Sequence, residues 1–336
     1  MHWPGLLFIL SVGLALAWLA AVLHVLWVLS KPPRHTFAWA LARGWPKSPD
    51  EIPAVWGGPR PFESWSFRTR GSDLPVWDVP GDDPRGPIVI LSHGWGESRL
   101  ECLARLGPIA EASARVLLWD MPAHGEAPHS GRCALGAREP DDLRALIEHL
   151  TGPRRQPDQP PLVLVGFSLG AGVSLAAAAA DPRIAAVIAE APYRLPQTPA
   201  RNVLHAKALP HRLVLEPALC IAGWINRAGA RWLAPDGPFD RAALAAQSYG
   251  PVTVIHGTDD AVCPLADGQA IARSATNGRL IAIASGEHVN LWLDPRLRAQ
   301  TAAAVQAALR AVTLAQPPAH PARQAPAPPP RSQTPG

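Results

Sequence analysis

The chain has 336 residues, of which 48% are hydrophobic and 17% charged, and its formal net charge at pH 7 is +4. This length allows one large α/β domain with additions or two modest domains, and the apolar content is enough for a sizeable core. Because the positive charge is small and forms no dense Lys/Arg block, a nucleic-acid partner is not expected.

The N-terminal region contains a long apolar run, GLLFILSVGLALAWLAAVLHVLWVL, in which only His24 is titratable. As a helix, residues 5–29 would span about 37 Å, which exceeds the ~30 Å hydrocarbon core of a bilayer. Residues 1–31 are therefore predicted to form a single transmembrane anchor. A cleaved signal peptide is the alternative, since the Ala15-Leu16-Ala17 step resembles a cleavage site, although no basic region precedes the run.

The basic residues nearest this run all follow it. They are Lys31, Arg34, Arg43 and Lys47. By the positive-inside rule, this asymmetry predicts a single-pass membrane protein whose catalytic domain lies on the cytoplasmic side.

Proline and tryptophan are frequent in residues 32–58, which are interpreted as a juxtamembrane linker. Trp39, Trp45 and Trp56 of this linker either rest among lipid headgroups or pack on the following domain. At the other end, residues 316–336 form a proline-rich tail that cannot build a core and is predicted to be disordered.

Strand and helix patterns alternate through residues 59–315. The stretch 65–79 predicts a hairpin around Gly71-Ser72. Short apolar runs predict buried strands at 87–94, 115–125, 161–168, 184–192, 251–260 and 279–288, with helices near 99–112, 141–150, 169–180, 264–274 and 295–314. This alternation predicts a mostly parallel sheet with helices on both faces. Residues 195–249 break the rhythm and are interpreted as an inserted helical cap.

The stretch LVLVGFSLGAG, residues 162–172, places Ser168 between a buried strand and a helix. Glycines at 166 and 170 let the backbone turn sharply there, which leaves the serine hydroxyl exposed in a strained conformation. The helix that follows directs free N–H groups at any oxyanion formed beside it. This context favours a catalytic serine over a simple turn residue.

A catalytic serine needs a base and an acid that orients it. Asp260 and Asp259 lie at the end of a later predicted strand, in HGTDDAVCP, and His288 lies at the end of the next one. Asp259 and Glu190 remain alternatives for the acid, and His124 is an alternative base. His93 and His256 each precede a glycine at a strand end and are interpreted as structural.

Four motifs together give the chain a resemblance to the α/β-hydrolase superfamily over about residues 60–314. They are SHGWGES (92–98), GFSLG (166–170), HGTDDAVCP (256–264) and GEH (286–288). The stretch WDMPAHGEA (119–127) resembles the D-x-x-G-H-G loop of this superfamily, with Ala123 in place of the first glycine.

The resemblance implies a role for each site residue. Ser168 would be the nucleophile, His288 the base and Asp260 the acid, while the backbone N–H groups of Leu169 and Trp95 would form the oxyanion hole. It implies a doubly covered parallel sheet with a cap, and this chemistry requires no cofactor. No metal site is expected either, because the four cysteines (Cys102, Cys133, Cys220 and Cys263) contain no CxxC pair.

The layout also resembles membrane-anchored serine hydrolases, including those of the serine aminopeptidase-like kind. The apolar cap stretch 213–233 and the anchor favour a small-molecule ester or lipid-like substrate with a hydrophobic acyl group. Two alternatives remain at this stage. One is a serine peptidase, which acidic residues beside the pocket would favour and for which Glu216 is the one candidate. The other is a non-catalytic binding module tethered to the membrane.

Overall fold

A sheet of eight strands forms the centre of the protein. The structure is a computed structural model that describes residues 3–129, 131–152, 159–206, 208, 211–229 and 231–315, so the expected disorder of residues 316–336 lies outside the described residues. The strands are β1 (Glu63–Thr69), β2 (Ser72–Pro80), β3 (Ile88–Ser92), β4 (Arg115–Trp119), β5 (Leu162–Phe167), β6 (Ile184–Glu190), β7 (Val252–Gly257) and β8 (Gly278–Ile283).

The strands lie in the order β1-β2-β4-β3-β5-β6-β7-β8. The first two form the predicted hairpin, β2 runs antiparallel to β4, and every other neighbouring pair is parallel. The central strands are apolar at nearly every position because helices cover the sheet on both sides. Because the strands from β3 to β8 run parallel, the carboxyl ends of β3, β5, β7 and β8 meet at one edge of the sheet. This is the edge at which an open parallel sheet binds its ligands.

Helices form a layer on each face of this sheet. The helices are α1 (Trp3–Ser30), α2 (Phe37–Arg43), α3 (Arg99–Ala110), α4 (Glu139–Thr151), α5 (Leu169–Ala180), α6 (Gln197–Ala206), α7 (Leu215–Ile225), α8 (Arg241–Ala246), α9 (Leu265–Ser274) and α10 (Pro295–Leu314). One core joins the sheet to α4, α5, α8 and α9, and a second core joins it to α3 and α10. The predicted fold class, an α/β-hydrolase sheet with helices on both faces and a cap, is confirmed.

The cap is shorter than the sequence suggested. Its helices α6 and α7 share a third apolar cluster that includes Leu204, Leu215 and Leu219. Helix α8, which lies inside the predicted cap range 195–249, instead packs its Ala242 and Ala245 into the core of the sheet. Residues from 241 onward therefore belong to the body of the domain, because α8 fills the space between α5 and α9.

Helix α1 has two halves with different surroundings. Residues 3–20 are solvent-exposed throughout, whereas Val22, Val25 and Leu29 are buried against the cap. The helix is apolar, with a mean hydropathy of 2.6 in its best window, and by length and composition it could cross a membrane. Among the described residues it is the one helix that meets this test.

Residues 32–58, the predicted juxtamembrane linker, fold onto the domain. They contain α2 and two short 3₁₀ helices, Pro49–Glu51 and Ala54–Trp56. Trp39, Trp45 and Trp56 pack against the core beneath α3 and α10. Of the two interpretations of these tryptophans, the structure therefore shows packing on the domain.

Candidate active site

Ser168 occupies a strained turn between β5 and α5. Its backbone angles are φ 50° and ψ −110°, so a non-glycine residue is held in the left-handed region. Both flanking glycines are required by close backbone contacts. A Cβ at Gly166 would lie 2.3 Å from the Gly170 carbonyl oxygen, and one at Gly170 would lie 2.2 Å from the Ser92 carbonyl oxygen. The turn therefore presses against the neighbouring strand and projects the serine at the sheet edge.

Ser168, His288 and Asp260 form one continuous chain of hydrogen bonds. The Ser168 hydroxyl lies 3.1 Å from Nε2 of His288, and Nδ1 of His288 lies 2.8 Å from Oδ2 of Asp260. With the proton on Nδ1 donated to the carboxylate, Nε2 is left to accept from the serine. The structure thus brings together all three residues of the predicted triad, from the turns after β5, β7 and β8.

The Asp260 carboxylate is fixed by further donors. Its Oδ1 accepts hydrogen bonds from the backbone N–H groups of Val262 and Cys263, at 2.9 and 2.7 Å. Nε2 of the buried His256 lies 3.4 Å from its Oδ2. Burial opposes ionisation of Asp260, but the hydrogen bonds from His256 and His288 outweigh it and hold the pKa of this carboxyl well below its usual value. Asp260 therefore stays ionised and keeps the His288 ring oriented.

The two alternative acids have other partners. Asp259 accepts a hydrogen bond from the hydroxyl of Thr258 at the surface. Glu190 is buried beneath the site, where it pairs with the guanidinium of Arg105 and accepts from the indole of Trp292. Neither carboxylate contacts His288, so the geometry favours Asp260 over both.

The alternative base, His124, belongs to the loop beneath the candidate oxyanion hole. Its ring lies 4.9 Å from that of His93, and its Nδ1 bonds to the Pro122 carbonyl. Burial lowers the pKa of His124 well below its usual value. The hydroxyl of Ser168 is bonded to His288 instead.

His93 fixes the loop that carries Trp95. Its Nε2 accepts from the N–H of Met121, so its proton lies on Nδ1 and is donated to the Gly94 carbonyl at 2.8 Å. In a trans peptide the carbonyl and the next N–H point in opposite directions. Holding the Gly94 carbonyl therefore also sets the direction of the Trp95 N–H. Burial lowers the pKa of His93 to about 4, so this ring stays neutral near pH 7.

Glu97 supports the same loop and was not singled out from the sequence. Its Oε2 accepts from the N–H of Gly94 at 3.0 Å. Burial raises the pKa of Glu97 to about 7, with Arg105 opposing and Glu101 adding to the shift. The motif SHGWGES contains this glutamate, but nothing in the letters alone indicates that its side chain folds back onto Gly94.

Leu169 is the second candidate donor to an oxyanion. It is the first residue of α5, where backbone N–H groups have no acceptor within the helix. The N-terminus of α5 also carries the positive end of the helix dipole. Both predicted oxyanion residues, Leu169 and Trp95, line the cavity beside Ser168.

A largely apolar cavity of about 140 Å³ opens over the serine. Its wall comes from six parts of the chain: the end of α1, the loop after β3, the segment between β4 and α4, the residues just after β6, the cap and the turns that carry the candidate triad. The lining residues are Leu29, Trp95, Leu135, Ser168, Leu169, Tyr193, Pro196, Pro199, Ala200, Val203, Val262 and His288.

The end of α1 is part of this wall, which sequence reasoning missed. Leu29 lines the cavity, and its carbonyl accepts a hydrogen bond of 3.0 Å from the indole of Trp95. The neighbouring Ser30 carbonyl accepts from the N–H of Cys133, and Lys31 donates to the Gly131 carbonyl. The predicted anchor is therefore bonded directly to the loops around the candidate site.

The comparisons with known proteins agree with this fold. A sequence profile of the family described as the alpha/beta hydrolase fold matches residues 87–218. The magnesium-chelatase 30 kDa subunit of Rhodobacter capsulatus is 28% identical over 135 residues, which are 40% of this chain. The matched stretch spans 43% of that relative's length, so less than half of it is covered.

Two solved structures resemble the chain over most of its length. The esterase Pf2001 of Pyrococcus furiosus has a TM-score of 0.59 at 18% identity, covering 83% of this chain and 98% of its own. A membrane phospholipase A, described as a bacterial virulence factor, has a TM-score of 0.54 at 16% identity, covering 91% and 98%. At these identities the likeness is one of fold. With the profile match over residues 87–218 and the strand order, it shows that the chain has the α/β-hydrolase fold.

Proposed function

We propose that this chain is a membrane-anchored serine hydrolase that cleaves carboxylic esters with a hydrophobic acyl group. The observation that carries the proposal is the unbroken hydrogen-bond chain from Asp260 through His288 to Ser168 at the floor of an apolar cavity. A serine with such a base and orienting acid is equipped for attack on a carbonyl carbon.

In the proposed reaction, the Ser168 oxygen attacks the ester carbonyl as Nε2 of His288 takes its proton. Asp260, ionised near pH 7, stabilises the imidazolium that forms. The N–H groups of Leu169 and Trp95 hold the negative oxygen of the tetrahedral intermediate. His288 then gives its proton to the departing alcohol, which leaves an acyl group on Ser168.

The second half of the proposed reaction repeats these roles with water. His288 removes a proton from a water molecule that attacks the acyl carbonyl, and then returns that proton to Ser168. The products are the carboxylic acid and the free enzyme.

The apolar lining supports an ester over a peptide as the substrate. Within the described residues, no carboxylate lines the cavity, so it offers no partner for a peptide's free amino group. Glu216, the acidic residue considered for that role, lies on the exposed face of α7. Hydrolases among the fold relatives include an esterase and a membrane phospholipase A, which fit the same class.

The location of the enzyme is part of the proposal. Helix α1 would cross the membrane with its exposed half, and the basic residues after it (Lys31, Arg34, Arg43 and Lys47) would keep the domain on the cytoplasmic side. A C-terminal alkaline phosphatase fusion should therefore be inactive in a bacterial host, and an active periplasmic fusion would reverse the orientation.

Substrate class is tested with the full-length protein in detergent micelles. We expect hydrolysis of p-nitrophenyl esters, with kcat/KM rising from the acetate to medium-chain acyl groups, and no hydrolysis by the Ser168→Ala variant. Aminoacyl p-nitroanilides are the matched peptidase probes. Faster turnover of the anilides would favour the peptidase, and no turnover of either probe would favour a binding module.

A further inference from the structure

The turn just before the cap helix α7 lies beside the half of α1 that the body of the protein leaves exposed. Trp18 lies in that half, and its indole N–H donates to the carbonyl of Leu213, at 3.1 Å. Leu213 is apolar, yet 77% of the residue is exposed. Arg212, next to it, is also exposed. An exposed leucine beside a helix that could span a membrane is expected to have an apolar partner.

The geometry of α1 gives the depth of this contact. At about 1.5 Å per residue, residues 3–20 span roughly 27 Å, close to the ~30 Å hydrocarbon thickness of a bilayer. Val22 is the first residue that the domain buries, so the hydrocarbon boundary falls near it. Trp18 then lies about 6 Å inside that boundary. Because helix side chains lean toward the N-terminus, its indole points further inward.

The hydrogen bond itself suits an apolar environment. A peptide carbonyl without a partner is costly in hydrocarbon, and the Trp18 indole satisfies the carbonyl of Leu213. Arg212 has a long apolar stem and a charged end that can extend to the lipid phosphates. Glu216, in the first turn of α7, is exposed as well, so α7 itself fits the headgroup level, with the Leu213 turn directed toward the acyl chains.

We propose that Leu213 and Arg212 form a second membrane contact. The Leu213 side chain enters the acyl chains of the leaflet at the C-terminal end of α1, and Arg212 binds the phosphates of its headgroups. This inference rests on the proposed anchoring of α1 but not on ester hydrolysis. The cap that carries Leu213 also lines the cavity through Pro199, Ala200 and Val203. The contact therefore holds the cavity at the leaflet surface.

Site-specific fluorescence in vesicles tests the contact. Of the four cysteines, Cys220 alone is exposed, so Cys220→Ser removes the reactive background. In that background, Leu213→Cys, Leu14→Cys and Tyr249→Cys are each labelled with an NBD fluorophore. The full-length proteins are then reconstituted into phosphatidylcholine vesicles that contain acyl-chain nitroxide lipids. Tyr249, 67% exposed and at the opposite end of the sheet just before β7, is the control.

Each outcome bears on a different part of the proposal. We expect blue-shifted emission and strong nitroxide quenching at Leu14 and Leu213, and neither at Tyr249. Quenching at Leu14 but not at Leu213 would overturn the second contact and leave the anchor in place. The absence of quenching at Leu14 would overturn both. A blue-shifted but unquenched Leu213 signal would indicate that protein, for example a second copy of the chain, covers this face. Because the measurement needs no turnover, it is independent of the proposed activity.

A functional test uses Leu213→Glu, since Leu213 does not line the cavity. For an ester dispersed in vesicles, we expect the apparent KM to rise roughly tenfold, because a carboxylate is disfavoured at this depth. Turnover of a water-soluble short-chain ester should be unchanged. Tyr249→Glu introduces the same charge at the opposite end of the sheet, and it should change neither the apparent KM on vesicles nor the turnover of the soluble ester. An unchanged KM on vesicles in Leu213→Glu would contradict the proposal.

Discussion

The two sides of the cavity are held in place by different interactions. On the triad side, Ser168, Asp260 and His288 sit on turns of the sheet and are fixed by short polar contacts. On the opposite side, Leu29 and the cap residues meet through apolar packing, and one indole hydrogen bond joins α1 to the loop of Trp95. The geometry of the candidate triad thus depends on the sheet, whereas the shape of the cavity depends on helix α1.

This difference has a functional consequence. Apolar packing between α1 and the cap tolerates movement better than a buried network of charges and backbone donors. We therefore expect substitutions on the triad side to remove the chemistry. Substitutions on the α1 side should change rate and substrate choice by smaller factors.

The largest effect is expected where the triad is broken. Asp260→Asn should lower kcat by about 10⁴, because His288 is left in the wrong tautomer. Asp259→Asn, one residue earlier, is the control and should lower kcat less than about twofold, since its side chain bonds to Thr258. The kcat values for ester hydrolysis by the two purified variants test both expectations. If Asp259→Asn proved the more damaging, the acid would be misassigned.

A smaller effect is expected where α1 meets the site. Trp95→Phe keeps an aromatic ring but loses the hydrogen bond to the Leu29 carbonyl, so kcat should fall about fivefold, as one net hydrogen bond would suggest. Trp18→Phe loses the equivalent indole bond to Leu213, away from the cavity, and is the matched control. Its kcat on a soluble ester should be unaffected. Equal kcat values in the two variants would show that the hydrogen bond between Trp95 and α1 does not affect catalysis.

Glu97 allows the polar support of the loop that carries Trp95 to be tested by pH. Its folded-state pKa of about 7 is raised above the ordinary value of 4.5, so the folded state binds this proton more tightly than the unfolded state. Its contribution to stability is therefore greatest below pH 4.5, declines up to about pH 7 and is then constant. Glu97→Gln cannot ionise, yet its amide oxygen can still accept from Gly94.

We expect Glu97→Gln to match the wild type at pH 4 and to exceed its unfolding free energy by about 1 kcal/mol at pH 8, since Glu97 is only half-buried and solvent screening reduces the full linkage value. Urea unfolding at the two pH values measures this. A variant that is less stable at pH 8 would show that the carboxylate stabilises the loop.

The smallest effect is expected at Ala123, which replaces a glycine of the related motif. Its φ of 70° lies in the left-handed region, where a Cβ costs about 1 kcal/mol. Glycine relieves this strain but adds chain entropy and loses a buried methyl group, so Ala123→Gly should change stability by less than about 0.5 kcal/mol. Ala307→Gly, on the exposed face of α10, has no such strain to relieve and should lower stability by about 1 kcal/mol. Equal losses in both variants would contradict the strain at Ala123.

The sequence could predict the sheet and the three residues that meet at its edge, because their signals are local. Ser168, Asp260 and His288 each follow a recognisable apolar strand, and strand ends of a parallel sheet converge whatever the loops do. Helix α10 was predicted at 295–314, the bounds it has in the structure. The hairpin around Gly71 is confirmed as well.

The opposite wall could not be predicted, since its contacts join residues far apart in the chain. Nothing in the apolar run at 5–29 distinguishes the half that packs on the cap from the half that stays exposed. Helix α8 looked like part of the cap because its burial depends on α5 and α9, which flank it only in the folded protein. The folding back of Glu97 onto Gly94 depends likewise on a loop conformation that composition does not encode.

The central claim is that Ser168 is a nucleophile activated by His288, and covalent labelling tests it most directly. The full-length protein in detergent is treated with a fluorophosphonate, digested and analysed by mass spectrometry. We predict a single adduct, on the peptide that contains Ser168. It should be absent from the Ser168→Ala variant and from heat-unfolded protein, in which the triad is no longer assembled. An adduct on another residue, or labelling that persists in Ser168→Ala, would contradict the account.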